Sequence, residues 1–238
     1  MNIKVWSDFV CPFCYIGKRR LEEALQQFPH REEVQIEFKS FELDPQAPKD
    51  TDMTEAEILS KKYGVSVEKA KQMTEQVAQQ AEAVGLVFAF ETMIPTNTFD
   101  AHRLAKLAKV KGKEAEITEK LFYAHFTESK HIGDVETLLH IADAVGLDRE
   151  EVEHVLHSPD EYASDVREDE KRAHAIGVQG VPFFVVNDKY AISGAQPAES
   201  IVKALQQAWE EAHPQELQHL TGEGSACMDG QCDVPEKE

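Results

Sequence analysis

Residues 3 to 25 read IKVWSDFVCPFCYIGKRRLEEAL, a short apolar strand, two cysteines three positions apart, and the opening turns of a helix. Ile16, Leu21, Leu25 and Phe28 recur at helical spacing, which predicts a helix from Pro12 to about Phe28. Pro12 suits its first turn, where a missing N–H costs nothing. Cys11 then stands at the helix end whose free N–H groups and dipole favour negative charge, by about 0.3–1 kcal/mol. Cys14 lies one turn further in and is better shielded. The spacing suits either metal binding or thiol redox chemistry. A zinc site needs two more ligands at tetrahedral reach, whereas a cysteine pair at a helix start directly after a strand favours redox use. In that use Cys11 attacks a disulfide, and Cys14 resolves the mixed disulfide that forms.

The order of elements extends this unit. Pro29 ends the helix, and Val34, Ile36 and Phe38 alternate with polar neighbours as in a half-buried strand, giving β-α-β. Pro45 and Pro48 mark a break, after which the chain from about Thr51 to Ser158 reads as helical. Within it VEKAKQMTEQVAQQAEAVGL closes at Gly85, two helices fit Phe99 to Val110 and Glu114 to Phe126, and Asp134 caps a helix that closes at Gly146. After Pro159 a helix leads to Gly177. PFFVVND and KYAISG then form two strands, and PAESIVKALQQAWEEA closes as an amphipathic helix. The expected class is α/β, a mixed central sheet flanked by helices, interrupted by a large all-helical insertion. Its boundaries fall at 1–50 with 159–213 for the sheet unit, 51–158 for the insertion and 214–238 for a polar tail. In the tail, the turn signal Asp229-Gly230 can fold Cys227 and Cys232 to the Cα separation of about 5.5–6 Å that a disulfide needs.

Charge narrows the partners. Lys plus Arg number 25 against 44 Asp plus Glu, a net charge of −19 that repels nucleic-acid phosphates and anionic lipid heads. The opening MNIKVWSDFV lacks a basic region followed by an apolar one, and no segment approaches the ~18 apolar residues of a membrane span, so a cytoplasmic protein is expected. Four cysteines in such a chain point to catalysis or metal binding before structural bridges. His154 and His157 share a helix face, but no carboxylate pair around them specifies a metal site, and no metal is expected.

WSDFVCPFCYIGKRRLE, IPTNTFDAHRLAKLA, GVQGVPFFVVN and the SGAQP turn at 193–197 together resemble the DsbA family of thioredoxin-fold oxidoreductases, in its FrnE-like cytoplasmic branch. The resemblance implies that the turn before Pro182 lies beside the cysteine pair, with a cis bond that frees the Val181 backbone to pair with an extended substrate. It implies a substrate surface of Pro12, Phe13, Val181 and Pro182, with Asn97 and His102 lining a groove opposite, and a second redox pair at Cys227 and Cys232. Asp8 is expected to cap the helix start, its other possible role being a proton acceptor for Cys14 through water. Phe13 replaces the histidine of the better-known periplasmic members and brings neither a hydrogen bond nor charge toward Cys11. The potential is therefore expected inside the span of roughly −270 to −120 mV, away from its oxidising end. The implied activity is thiol-disulfide exchange or isomerisation on protein substrates, without a cofactor and with a low-molecular-weight thiol such as glutathione as electron partner. The alternatives are a glutathione-dependent isomerase or transferase of small organic molecules, and a non-enzymatic holdase or metal buffer using all four thiols.

Overall fold

The structure is a computed structural model that describes residues 1–214 together with 227–228 and 231–232. Strand β1 (Asn2–Ser7) runs into helix α1 (Pro12–Gln27), and β2 (Gln35–Ser40) returns parallel to β1. The insertion holds α2 (Glu55–Tyr63), α3 (Val67–Glu82), α4 (Phe99–Val110), α5 (Glu114–Phe126), α6 (Val135–Ala144) and α7 (Arg149–His157). Helix α8 (Ala163–Ala175) leads to the hairpin β3 (Phe183–Val186) and β4 (Tyr190–Ser193), and α9 (Ala198–Ala212) follows. The sheet order is β2-β1-β3-β4, with β3 antiparallel to both β1 and β4. This is the mixed sheet with a helical insertion that the element order predicts.

Two of the three apolar clusters among the described residues position the site. One lies between the sheet and helices α1 and α9, where Ile3, Val5, Leu21, Phe184, Ile201 and Leu205 are buried. Each such side chain contributes about 1.5–3 kcal/mol on leaving water. The larger core fills the insertion and reaches back to Phe9, Cys11, Cys14 and Tyr15, so the cysteine pair belongs to the packing between insertion and sheet unit. Asp169 on α8 ties the layers together. Its carboxylate accepts the Ser40 N–H at 3.0 Å and pairs with Lys106 and Lys39, while its carbonyl accepts the Trp6 indole N–H at 2.9 Å.

In the tail, β5 (Cys227–Met228) and β6 (Gln231–Cys232) pair antiparallel with Cys227 opposite Cys232. Directly opposed residues on antiparallel strands have Cα atoms about 4.5–5.5 Å apart, within the range a disulfide spans. The turn expected at Asp229-Gly230 and the two cysteine side chains lie outside the described residues. Among the described residues no helix is long and apolar enough to cross a membrane.

Candidate active site

Helix α1 starts at the end of β1 because Pro12 occupies its first turn and Cys11 is its N-cap, in extended backbone with no side-chain cap. The Asp8 carbonyl accepts the Cys11 N–H at 3.1 Å, closing the turn between strand and helix. Both cysteines are free thiols and both are buried, Cys11 at 5% and Cys14 at 3% exposure. Burial, then the neighbouring Cys11, push the Cys14 thiol well above the ordinary value, against opposing pulls from the Ser7 side chain and the Asp8 backbone. Phe13 projects outward at 38% exposure.

The Cys11 sulfur lies 3.5 Å from the Val181 carbonyl, and the Val181–Pro182 bond is cis. Pro182 packs against Gly17, so the turn rests on the first half of α1. On the other side of Cys11 opens a cavity of about 800 Å³, whose wall includes Cys11, Pro12, Phe13, Leu43, Tyr63 and Met73. Its size and apolar lining suit a small molecule or an extended side chain beside a sulfur.

Three expected roles fall elsewhere. Asp8 does not cap α1, because its carboxylate is engaged across the fold. It accepts the Leu43 N–H at 2.7 Å and lies 3.4 Å from His102 Nε2. His102 is not a groove wall. At 2% exposure it is sealed beneath the cavity, with its ring 4.8 Å from that of Phe9. Asn97 does not line the cavity either, since its side chain accepts the Phe99 N–H at 2.9 Å and so ties down the start of α4.

The sequence reading passed over His125. It lines the cavity, is fully buried, and both its ring nitrogens lack a hydrogen-bond partner among the described residues. Burial lowers its pKa to about 4, with Asp8 pulling the other way. The run LFYAHF, hydrophobic on every side of α5, was the available signal that this histidine faces inward. Glu42 was also missed. Its buried carboxylate pairs with Arg167 and receives the Asn97 amide at 3.4 Å. Among the described residues, no group of three or more His, Cys, Asp and Glu side chains could hold a metal ion.

Comparison with known proteins agrees with this geometry. The chain is 41% identical to the probable DsbA oxidoreductase of Streptomyces coelicolor, with a TM-score of 0.86 over 99% of this chain and 100% of that one. More distant structures share the fold. A 2-hydroxychromene-2-carboxylate isomerase superposes with a TM-score of 0.64 at 17% identity over 89% of this chain and 98% of that one. The cytosolic disulfide reductase DsbM of Pseudomonas aeruginosa, solved with glutathione, superposes with 0.60 at 13% identity over 87% of this chain and 100% of that one. Residues 2–206 match the DSBA-like thioredoxin domain, and with a thioredoxin-type sheet, a helical insertion and a cysteine pair at the start of α1, the chain belongs to that family.

Proposed function

We propose that this protein exchanges disulfides with thiol substrates, Cys11 acting as nucleophile and Cys14 as resolving thiol. One observation carries the reading, which is the placement of the Cys11 sulfur at a helix start, on the wall of a large cavity, with Cys14 sealed behind it. The Cys11 thiolate attacks a substrate disulfide, and one substrate sulfur leaves with the electron pair. Cys14 then attacks Cys11, the second substrate sulfur leaves, and the chain holds a Cys11–Cys14 disulfide. Two electrons have passed to the substrate. An external thiol restores the dithiol, so the cysteine pair is itself the redox centre and no cofactor is required.

Val181 and Pro182 would face the substrate from one side, and Pro12 and Phe13 from the other. Protein disulfides and low-molecular-weight thiols both fit this chemistry. The glutathione in the DsbM structure supports a small thiol as electron partner, and that protein's cytosolic designation supports a cytoplasmic site of action. Cys227 and Cys232, opposed on β5 and β6, would form the second redox pair.

Insulin reduction tests the reading. Cys11→Ser is expected to abolish turnover, while serines at 227 and 232 leave it in place. Full activity in Cys11→Ser would sink the proposal. The cavity volume favours one second reading, a glutathione-dependent isomerase or transferase acting on small organic molecules. Such single-thiol chemistry would survive Cys14→Ser, whereas catalytic disulfide reduction would not.

A further inference from the structure

The cavity beside Cys11 holds a polar group that the protein leaves unanswered. His125 stands in its wall at 1% exposure, and neither ring nitrogen has a hydrogen-bond partner among the described residues. A buried polar group in that condition costs about 1–3 kcal/mol, and a fold that keeps one calls for an explanation. The ring is held in place, since Phe126 meets it edge-on with centroids 4.7 Å apart. Burial lowers its pKa to about 4, Asp8 pulls the other way and His131 adds to the lowering, so the imidazole is neutral at physiological pH. A neutral imidazole offers one N–H and one lone pair. Its complement is an uncharged donor or acceptor.

The rest of the wall selects the body of the ligand. Helix α2 buries none of its side chains against the protein, yet Ile58, Leu59 and Tyr63 line the cavity. Met73 and Val77 of α3 face the same space, as does Phe90. At the wall Phe13, Leu43 and Tyr63 remain 38%, 41% and 55% exposed. Apolar surface gathered around one concavity marks a place where apolar matter binds. Charge gives no opposing signal. Lys61 and Lys62 are matched by Asp44 and Glu55, and burial raises the pKa of Glu55 against the pull of Lys62. The one further carboxylate, that of Asp8, is already engaged by Leu43 and His102. The wall thus has no surplus of either sign to hold an ion.

We propose that the cavity takes an uncharged low-molecular-weight disulfide with an apolar or aromatic body, whose polar atom hydrogen-bonds to His125 while its S–S bond meets Cys11. This rests on the thiol-exchange reading and deepens it by naming a class of substrate. The Cys11 thiolate attacks one sulfur of the ligand, the S–S bond breaks, and the other sulfur leaves with the electron pair. Cys14 then attacks Cys11 and frees the second half. The ligand is reduced to two thiols, the protons of the dithiol end on them, and the chain is left with a Cys11–Cys14 bond until an external thiol reduces it.

Two reagents with one reacting centre test this. Dipyridyl disulfide is neutral and aromatic and has a ring nitrogen that can accept the His125 N–H, whereas its analogue with a carboxylate on each ring is a dianion. Reduced Cys14→Ser, which stops at the first adduct, is mixed with each over a range of concentrations and quenched in acid. The adduct is counted at the Cys11 peptide by mass spectrometry. The rate with the neutral reagent is expected to saturate, at a concentration about 10-fold or more below that for the dianion. His125→Phe in the same background is expected to raise the half-saturating concentration of the neutral reagent about 10-fold, the worth of one hydrogen bond, with a limiting rate within twofold. His125→Asn, which keeps a donor and an acceptor, should recover part of that loss. His125→Phe should also match or exceed the parent in Tm, because it removes an unpartnered polar ring. A rate linear in the neutral reagent, or half-saturation within twofold for the two reagents, would overturn the proposal, and this comparison decides alone if the histidine variants do not fold. So would a His125→Phe protein with lowered Tm and unchanged half-saturation, the mark of a structural histidine. No adduct at Cys11 with either reagent would instead overturn the thiol-exchange reading beneath it.

Discussion

A Cβ on Gly17 would stand 2.9 Å from Pro182 Cγ and 3.3 Å from Phe184 Cζ. Contact between the Pro182 turn and α1 therefore depends on the one residue with no side chain, although it sits mid-helix where glycine is unfavourable by about 1 kcal/mol. Gly17→Ala is expected to lower stability by about 1–3 kcal/mol through overpacking, despite its better helix propensity. It should also slow insulin reduction, because the turn that faces Cys11 is displaced. Denaturant midpoints and turnover together check this, and a variant at least as stable as wild type with unchanged turnover would contradict it. Asp8 likewise depends on distant parts of the chain, since its partners Leu43 and His102 lie 35 and 94 positions away. That separation is why Asp8 reads as a helix cap in the sequence, since only local partners are legible there.

Helices α1 and α5 meet through a polar clamp. Glu119 of α5 accepts hydrogen bonds from Tyr15 at 2.6 Å, from Lys18 at 2.5 Å and from both terminal nitrogens of Arg19. Beneath it the Tyr15 ring stacks on Phe122, with centroids 5.0 Å apart. Burial opposes the Glu119 charge, but the hydrogen bonds from Arg19, Lys18 and Tyr15 prevail and hold its pKa at about 2. A carboxylate depressed in the folded state stabilises above its unfolded value of ~4.3, and that contribution is lost as pH falls from there toward 2. Glu119→Gln is expected to lower Tm at neutral pH and to flatten the decline of Tm below about pH 4.5. An acid limb as steep as that of wild type would remove the clamp from the account.

Helices α4, α5 and α9 are legible in the sequence within a residue or two, α9 through its apolar stripe and α5 through its dense apolar run. Helix α2 is not. It buries no side chain, and its sign was the Thr54–Glu57 capping box, in which the Thr54 side chain accepts the Glu57 N–H and Glu57 reaches back to the Thr54 N–H. Helix α7, on which His154 and His157 share a face, has no legible bounds of its own because it follows α6 after a short connection.

At the scale of the molecule, the site is shared. The sheet unit supplies Cys11, Cys14 and the Val181 turn, while the insertion supplies Tyr63, Met73 and His125 of the cavity wall and His102 beneath it. The cysteine pair and the proline turn could be read from local motifs. The cavity could not, since it is a space between segments that are distant in sequence. Cys11 as the sulfur that bonds to substrate is the centre of the account. Trapping tests it most directly, by incubating Cys14→Ser with a peptide disulfide and locating the adduct by mass spectrometry. A stable mixed disulfide on Cys11, one per chain, is the predicted result. Adducts confined to Cys227 or Cys232, with Cys11 unmodified, would contradict it.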